Sequence, residues 1–267
     1  MSAVILIPAR YASSRFPGKP LVPLTQADGS QQSLIEMSWR AAQQVAGVDA
    51  VHVLTDDDRI RDGAERFGAS VIMTSAACRN GTERCAEAVA TGAVSADIVV
   101  NFQGDAPLTP PWFVEALIAR LAQTTSDECV MATPVLRCDA AAYAKFTEDR
   151  RAGRVGATTA VFDRDERALY FSKEVLPYLD PSKPQPDPLP VFHHVGIYAF
   201  RPAALQAYAA WREGPLERHE GLEQLRFLEN GGPVACVEVD ARGRHFWEVN
   251  NPEDVARIEA LVREQAG

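Results

Sequence analysis

The chain has 267 residues, 46% of them hydrophobic, and a formal charge of −9. That composition supplies a sizeable α/β core and excludes disordered and fibrous classes, while the net acidity excludes a general nucleic-acid binder, whose affinity rests on many clustered cations. No stretch approaches the roughly 20 apolar residues of a membrane span, and the apolar run at residues 3–7 is too short and too poorly flanked for a signal peptide, so the expectation is a soluble cytoplasmic protein with no membrane or nucleic-acid partner.

In chain order, residues 3–7 form an apolar run closed by Pro8, residues 33–45 have helical spacing, and residues 51–54 are a second apolar run. A helix is expected over 59–67, a strand over 70–73, a helix over 82–91, a strand over 97–101, and a helix over 112–121 that opens after Pro110 and Pro111. Strands separated by helices predict a mainly parallel or mixed sheet covered on both faces. Farther on, strands are expected over 155–162, 195–200 and 234–239 and helices over 216–229 and 252–264. Residues 180–190, with five prolines, read as an extended surface loop. With no repeat and no linker, one domain over 1–267 is expected, with an inserted substrate or dimerisation subregion. The five cysteines (Cys78, Cys85, Cys129, Cys138, Cys236) never fall in a C-x-x-C pair, so reduced buried thiols are expected rather than disulfides or a zinc site.

The chemistry concentrates first in Ile7-Pro8-Ala9-Arg10-Tyr11-Ala12-Ser13-Ser14-Arg15-Phe16-Pro17-Gly18-Lys19-Pro20-Leu21, directly after the first strand. Ligands of open α/β sheets sit beyond the carboxyl ends of the strands. Here a solvent-facing loop brings together Arg10, Arg15 and Lys19, with small residues that let the backbone approach a polyphosphate. It is neither a Walker A loop nor a G-x-G-x-x-G turn. A second strand ends in Asn101-Phe102-Gln103-Gly104-Asp105-Ala106-Pro107, where Asp105 stands at the same sheet edge and is placed to anchor a Mg²⁺ serving a triphosphate. A Gly-Asp pair alone would be an ordinary turn.

These strings, taken together, resemble the CMP-KDO synthetases (3-deoxy-manno-octulosonate cytidylyltransferases) within the sugar nucleotidyltransferases. Cys78-Arg79-Asn80-Gly81-Thr82-Glu83-Arg84 is similar to that family's His-x-Ser-Gly-Thr-x-Arg, Tyr170-Phe171-Ser172-Lys173 to its Tyr-Phe-Ser-Arg, and His193-His194-Val195-Gly196-Ile197-Tyr198 to its His-x-Gly-Ile-Tyr. Leu216-Glu217 with Leu222-Glu223-Gln224-Leu225-Arg226 is similar to its Pro-Leu-Glu and Leu-Glu-Gln-Leu-Arg, and Glu248-Val249-Asn250-Asn251-Pro252-Glu253-Asp254 to its Val-Asp-Thr-Pro-Glu-Asp. Near the metal candidate, Ala106 stands where the family has Glu.

The resemblance implies a Rossmann-like fold of the nucleotidyltransferase type, with a nucleotide-binding part about 1–130 and a sugar-binding and dimerisation part about 131–245. It implies Mg²⁺-dependent transfer of CMP from CTP to the anomeric hydroxyl of an acidic 2-keto-3-deoxy sugar, in lipopolysaccharide biosynthesis, by a homodimer. Arg10, Arg15 and Lys19 would hold the phosphates and, with Asp105, carry the catalysis, and Ala9, Ser14 and Gln103 would also bind the nucleotide. Asn80, Gly81, Thr82 and Arg84 would form the rest of the nucleotide pocket, with Thr82 also available as a helix cap. Gln103, Lys173, His194, Tyr198, Glu223 and Gln224 would line the sugar site. Asp105 and Asn250 would be the metal pair, Asn250 replacing a family Asp or serving only as a helix cap. The substitutions at 78, 80, 106, 173 and 250 leave open an acceptor such as an 8-amino-KDO, a nonulosonate or another acid. They also leave open a nucleotide-binding homologue that has lost turnover.

Overall fold

In the computed structural model, which describes every residue except Ser14, Arg15, Gly156, His245, Phe246, Asn250, Gly267 and the side chain of Ala266, the N-terminal apolar run forms β1 (Ala3–Pro8). A short 3₁₀ turn (Lys19–Leu21) and a hairpin of β2 (Pro23–Thr25) and β3 (Gln31–Ser33) lead into α1 (Leu34–Ala42). Then follow β4 (Ala50–Thr55), α2 (Asp58–Arg66), β5 (Ser70–Met73), α3 (Gly81–Ala90), β6 (Ile98–Asn101) and α4 (Pro111–Ala122). The helix starts carry their usual signals: Ser33 and Asp57 accept the backbone N–H groups of Glu36 and Arg59, and Pro111 occupies the first turn of α4.

The second half adds β7 (Met131–Arg137), α5 (Ala140–Arg151), β8 (Thr159–Phe162), β9 (Ala168–Ser172), β10 (Phe192–His194), β11 (Tyr198–Phe200) and α6 (Pro202–Ala210). It closes with α7 (Pro215–Glu220), α8 (Leu225–Glu229), β12 (Val234–Glu238) and α9 (Asp254–Ala266). The single helix expected over 216–229 is two, because Gly221 takes a left-handed conformation (φ 62°) that ends α7.

Among the described residues, ten strands make one mixed sheet in the order β5-β4-β1-β6-β11-β7-β10-β8-β9, with β12 paired to β7. Its first four strands are parallel, as the sequence pattern implies, and β11 then runs antiparallel to β6. The chain builds outward from β1 through β4 to β5 and returns to β6 on the other side of β1. The switch point therefore lies between the carboxyl ends of β1 and β6, where an open sheet leaves a crevice. Alternation along β1 feeds two cores: Ile5 and Ile7 pack with Ile35, Ile60 and Phe113, whereas Val4 and Leu6 pack with Cys85, Leu205 and Leu225. A third cluster of Leu24, Leu34, Met37, Val249 and Ile258 docks α9 against the hairpin and α1. Among the described residues, no helix is long and apolar enough to cross a membrane.

Candidate active site

The two strand exits at the switch point approach as closely as backbone allows. The Phe102 N–H donates to the Leu6 carbonyl (2.9 Å), and a Cβ built on Gly104 would sit 2.8 Å from the Pro8 carbonyl oxygen, so this position needs glycine. The Ser38 hydroxyl donates to the Gly104 carbonyl at 3.0 Å and fixes the turn from below. One residue on, the Lys19 ammonium donates to Asp105 Oδ2 (2.6 Å) and to the Val249 carbonyl (2.8 Å), and the Val249 N–H donates to the Asp105 carbonyl (2.9 Å). The loop after β1, the turn after β6 and the segment before α9 are thus tied at one cation. Lys19 is 16% exposed and Asp105 27%, which corrects the expectation of a wholly solvent-facing loop: Lys19 sits on the 3₁₀ turn and is folded over the sheet edge.

A cleft of about 460 Å³ opens above this knot. Arg10, Ser13 and Lys19 line one end, Gln103 and Asp105 the floor, Asn80, Gly81 and Arg84 the start of α3, and Tyr198, Glu223 and Gln224 the other end. At α3 the cap is Asn80, whose Oδ1 accepts the Glu83 N–H at 2.8 Å; Thr82, the expected capping residue, is instead buried one residue into the helix, its Oγ1 accepting from Asn101 Nδ2 at 3.3 Å. From the N-cap position the Asn80 side chain reaches the N–H of N3, which a residue already inside the first turn cannot do. Arg84 reaches the cleft but its guanidinium is committed, donating to Asp56 (2.8 Å) and to the Thr74 hydroxyl (2.6 Å).

The far end is drier and holds polar atoms without partners. Tyr198 OH donates to Gln224 Oε1 at 3.3 Å, while Gln224 Nε2 and Glu223 Oε2 are buried with no hydrogen-bond partner. Burial pushes the Glu223 carboxyl up to about 7 and the nearby Glu217 adds to this; hydrogen bonds from Thr82 and the charge of Arg226 oppose it. Buried groups left open in this way carry a desolvation cost that a bound polyol can relieve. His194 does not line the cleft. It lies behind Tyr198, stacked at 5.7 Å, with Nε2 3.0 Å from the Thr133 hydroxyl, and burial holds its imidazole down to about 3, so it is neutral. Lys173 stands beside the cleft: its Nζ would lie 3.0 Å from a Cβ on Gly221. Ser14, Arg15 and Asn250 lie outside the described residues.

Two lining residues, Cys78 and Glu217, stand in quoted motifs but carry no site role in the sequence reading. Cys78 lines the cleft, but burial and a bond to Glu87 (2.9 Å) push its thiol up to about 12, so it is no nucleophile. Glu217, also at the wall, is forked by the buried Arg226 at 2.6 Å through both Nε and Nη2. Arg226 lies 4.0 Å over the Tyr208 ring, whose hydroxyl accepts from Asn80. A buried ion pair thereby stands behind the residue that starts α3.

A sequence model of the cytidylyltransferase family matches residues 4–239. The 3-deoxy-manno-octulosonate cytidylyltransferase of Maricaulis maris is 43% identical over 98% of this chain and 97% of its own. The chain belongs to the CMP-KDO synthetase family. It is accordingly a nucleotidyltransferase. The 8-amino-3,8-dideoxy-manno-octulosonate cytidylyltransferase of Shewanella piezotolerans is 38% identical over 98% of this chain and 99% of that one. The solved structure of a CMP:2-keto-3-deoxy-manno-octonic acid synthetase complexed with CTP superposes with a TM-score of 0.83 at 33% identity, covering 99% of this chain and 100% of the other. In this member, Lys19 and Asp105 meet at the switch point, and Tyr198, Glu223 and Gln224 gather at the opposite end of the same cleft.

Proposed function

We propose that this nucleotidyltransferase moves CMP from CTP to the anomeric hydroxyl of 3-deoxy-manno-octulosonate and releases pyrophosphate. The observation that carries the reading is the Lys19 knot: a cation shared by three chain segments at the switch point, in a cleft whose other end offers unpaired buried donors and acceptors. The anomeric oxygen attacks the α-phosphorus, and the bond to the β-phosphate oxygen breaks in line with it. Arg10, Arg15 and Lys19 hold the triphosphate and receive the pyrophosphate charge; Asn80 and Gly81 at the start of α3 face the nucleoside. Tyr198, Glu223 and Gln224 fix the sugar hydroxyls, and Lys173 at the rim meets the sugar carboxylate. Catalysis by these residues is positioning plus charge neutralisation.

Asp105 fits a hard divalent cation: a partly exposed carboxylate on the cleft wall beside a backbone carbonyl, with no cluster of three acidic, His or Cys side chains among the described residues. Mg²⁺ takes one or two carboxylates plus substrate phosphates rather than a protein cage. Asp105, with Asn250, would hold Mg²⁺, which when bound neutralises phosphate oxygens.

The enzyme acts as a cytoplasmic homodimer in this reading. Exposed Val155, Leu169 and Tyr178, 56%, 61% and 79% accessible, support pairing through the 131–245 part. Pyrophosphate release tests the reaction: CTP with 3-deoxy-manno-octulosonate and Mg²⁺ should turn over, and faster release with UTP or ATP would remove the assignment. An 8-amino acceptor is the second reading, favoured by the open Glu223 oxygen, which suits an ammonium as well as a hydroxyl. Comparing the two acids by kcat/KM separates them.

A further inference from the structure

The loop that carries the cations is gripped from outside the cleft. The Tyr11 ring lies between two partners: the Arg59 guanidinium carbon stands 3.3 Å from its centroid on one side, and Gly18 lies so close on another that a Cβ there would be 3.1 Å from the ring. The Tyr11 carbonyl also accepts the Gly18 N–H at 2.9 Å, closing the base of the loop. Arg59 is itself held flat. Asp57 accepts from its Nε (2.9 Å) and Nη2 (2.6 Å) while capping α2 through the Arg59 N–H.

Helix α2 touches the other end of the loop as well, since a Cβ on Gly63 would lie 2.9 Å from Leu21 Cδ2. The helix therefore holds both the entry of the loop at Tyr11 and its exit after Lys19. The residue before the Asp57 cap, Asp56, pairs with Arg84 of α3 at 2.8 Å. One corner, between β4 and α2, thus orients the cationic loop and braces the start of the helix that faces it.

We propose that the Arg59–Tyr11 stack is a positioning device that sets the cationic loop for the triphosphate, with Arg59 and Tyr11 as positioning residues that do not touch the reacting atoms. This rests on the reading that Arg10, Arg15 and Lys19 hold the CTP phosphates. Neither Tyr11 nor Arg59 lines the cleft. Their effect reaches the substrate through Gly18, which tolerates its positive φ of 72° without a side chain and hands the chain directly to Lys19. A device of this kind acts on the phosphates and leaves the nucleoside contacts alone, which gives it a readout distinct from fold stability.

Calorimetric titration with CTP and with CMP, on wild type, Arg59→Ala, Tyr11→Phe, Tyr11→Ala and the double alanine variant, reads this directly. Arg59→Ala should weaken CTP about threefold, the loss of one exposed cation–π contact, and leave CMP unchanged. Tyr11→Phe should match wild type because it keeps the ring. Tyr11→Ala should weaken CTP about tenfold, and the double variant should be no weaker than Tyr11→Ala, as expected for two residues acting as one unit. Arg59 is 60% exposed, so Arg59→Ala should fold, and should Tyr11→Ala not fold, the CTP-to-CMP ratio of Arg59→Ala decides alone. Equal weakening of CTP and CMP, additive losses, or an Arg59→Ala that binds CTP like a competent wild type would overturn the positioning role. Failure of the wild type itself to bind CTP would instead sink the functional reading and this inference together.

Discussion

The two ends of the cleft are built on opposite principles. At the phosphate end Arg10 is exposed and Lys19 is held by one carboxylate and one carbonyl, so the charges stand at the sheet edge, outside the apolar core, and their strength appears when a polyanion arrives. At the acceptor end Tyr198 and Gln224 are 4% and 1% exposed, on a strand and a helix start already part of the core. There the desolvation of polar groups is met on folding, not on binding. The first end can be altered with little effect on stability, whereas the second binds its ligand with the same residues that hold the sheet together.

The comparison breaks most visibly at Glu217. Glu217→Ala leaves Arg226, 2% exposed, with Glu83 at 3.6 Å in place of its fork. A buried charge stripped of its partner costs about 3–5 kcal/mol, so Tm should fall by roughly 10 °C in thermal unfolding. A variant that melts with wild type would show that the acceptor side is not braced by this pair. Lys19→Ala should behave in the reverse way. Losing the cation that meets the phosphates should lower kcat/KM about a hundredfold, while Tm moves by only a few degrees because the Lys19–Asp105 pair is partly solvated. Near-wild-type kinetics would reduce Lys19 to a strut between Asp105 and Val249.

The phosphate end was legible in sequence because a loop after a first strand and an acid after a later one must converge at a switch point, and both motifs are contiguous. The acceptor end was legible only as separate short strings. What joins them is β7, where no element is expected from sequence; Pro134 stands in its middle, and a proline argues against a central strand. In the fold that proline is harmless: β11 pairs with Met131 and Ala132 and β10 with Val135 to Arg137, so Pro134 falls at the break between them. The cap of α3 falls on Asn80 rather than on Thr82 because helix starts are uncertain by a residue or two from sequence. The Glu217–Arg226 fork spans a helix break at Gly221 that periodicity alone reads as continuous helix.

The smallest effect sharpens the comparison at one atom. Glu223 has its carboxyl raised from the ordinary 4.5 to about 7, chiefly by burial, with Glu217 adding to the rise and Thr82 and Arg226 opposing it. Between those two values the folded protein keeps a proton that the unfolded chain releases. Its contribution to stability is therefore complete below the lower value and is lost as pH rises through the upper one. Glu223→Gln keeps the shape and cannot titrate, so its Tm should gain on that of wild type as pH is raised from about 5 to about 8. His193 and His194 act in the opposite direction, held down to about 4 and about 3 by burial, so their contribution is complete above 6.5 and fades as pH falls. Both imidazoles are present in each protein, so they cancel in the difference. CTP affinity should be the same in the two proteins, since Glu223 belongs to the acceptor end, whereas the KM for the sugar acid should lose its pH dependence near 7 in the variant. Parallel Tm curves for the two proteins would mean that solvent reaches the Glu223 carboxylate and that the acceptor end is as wet as the phosphate end.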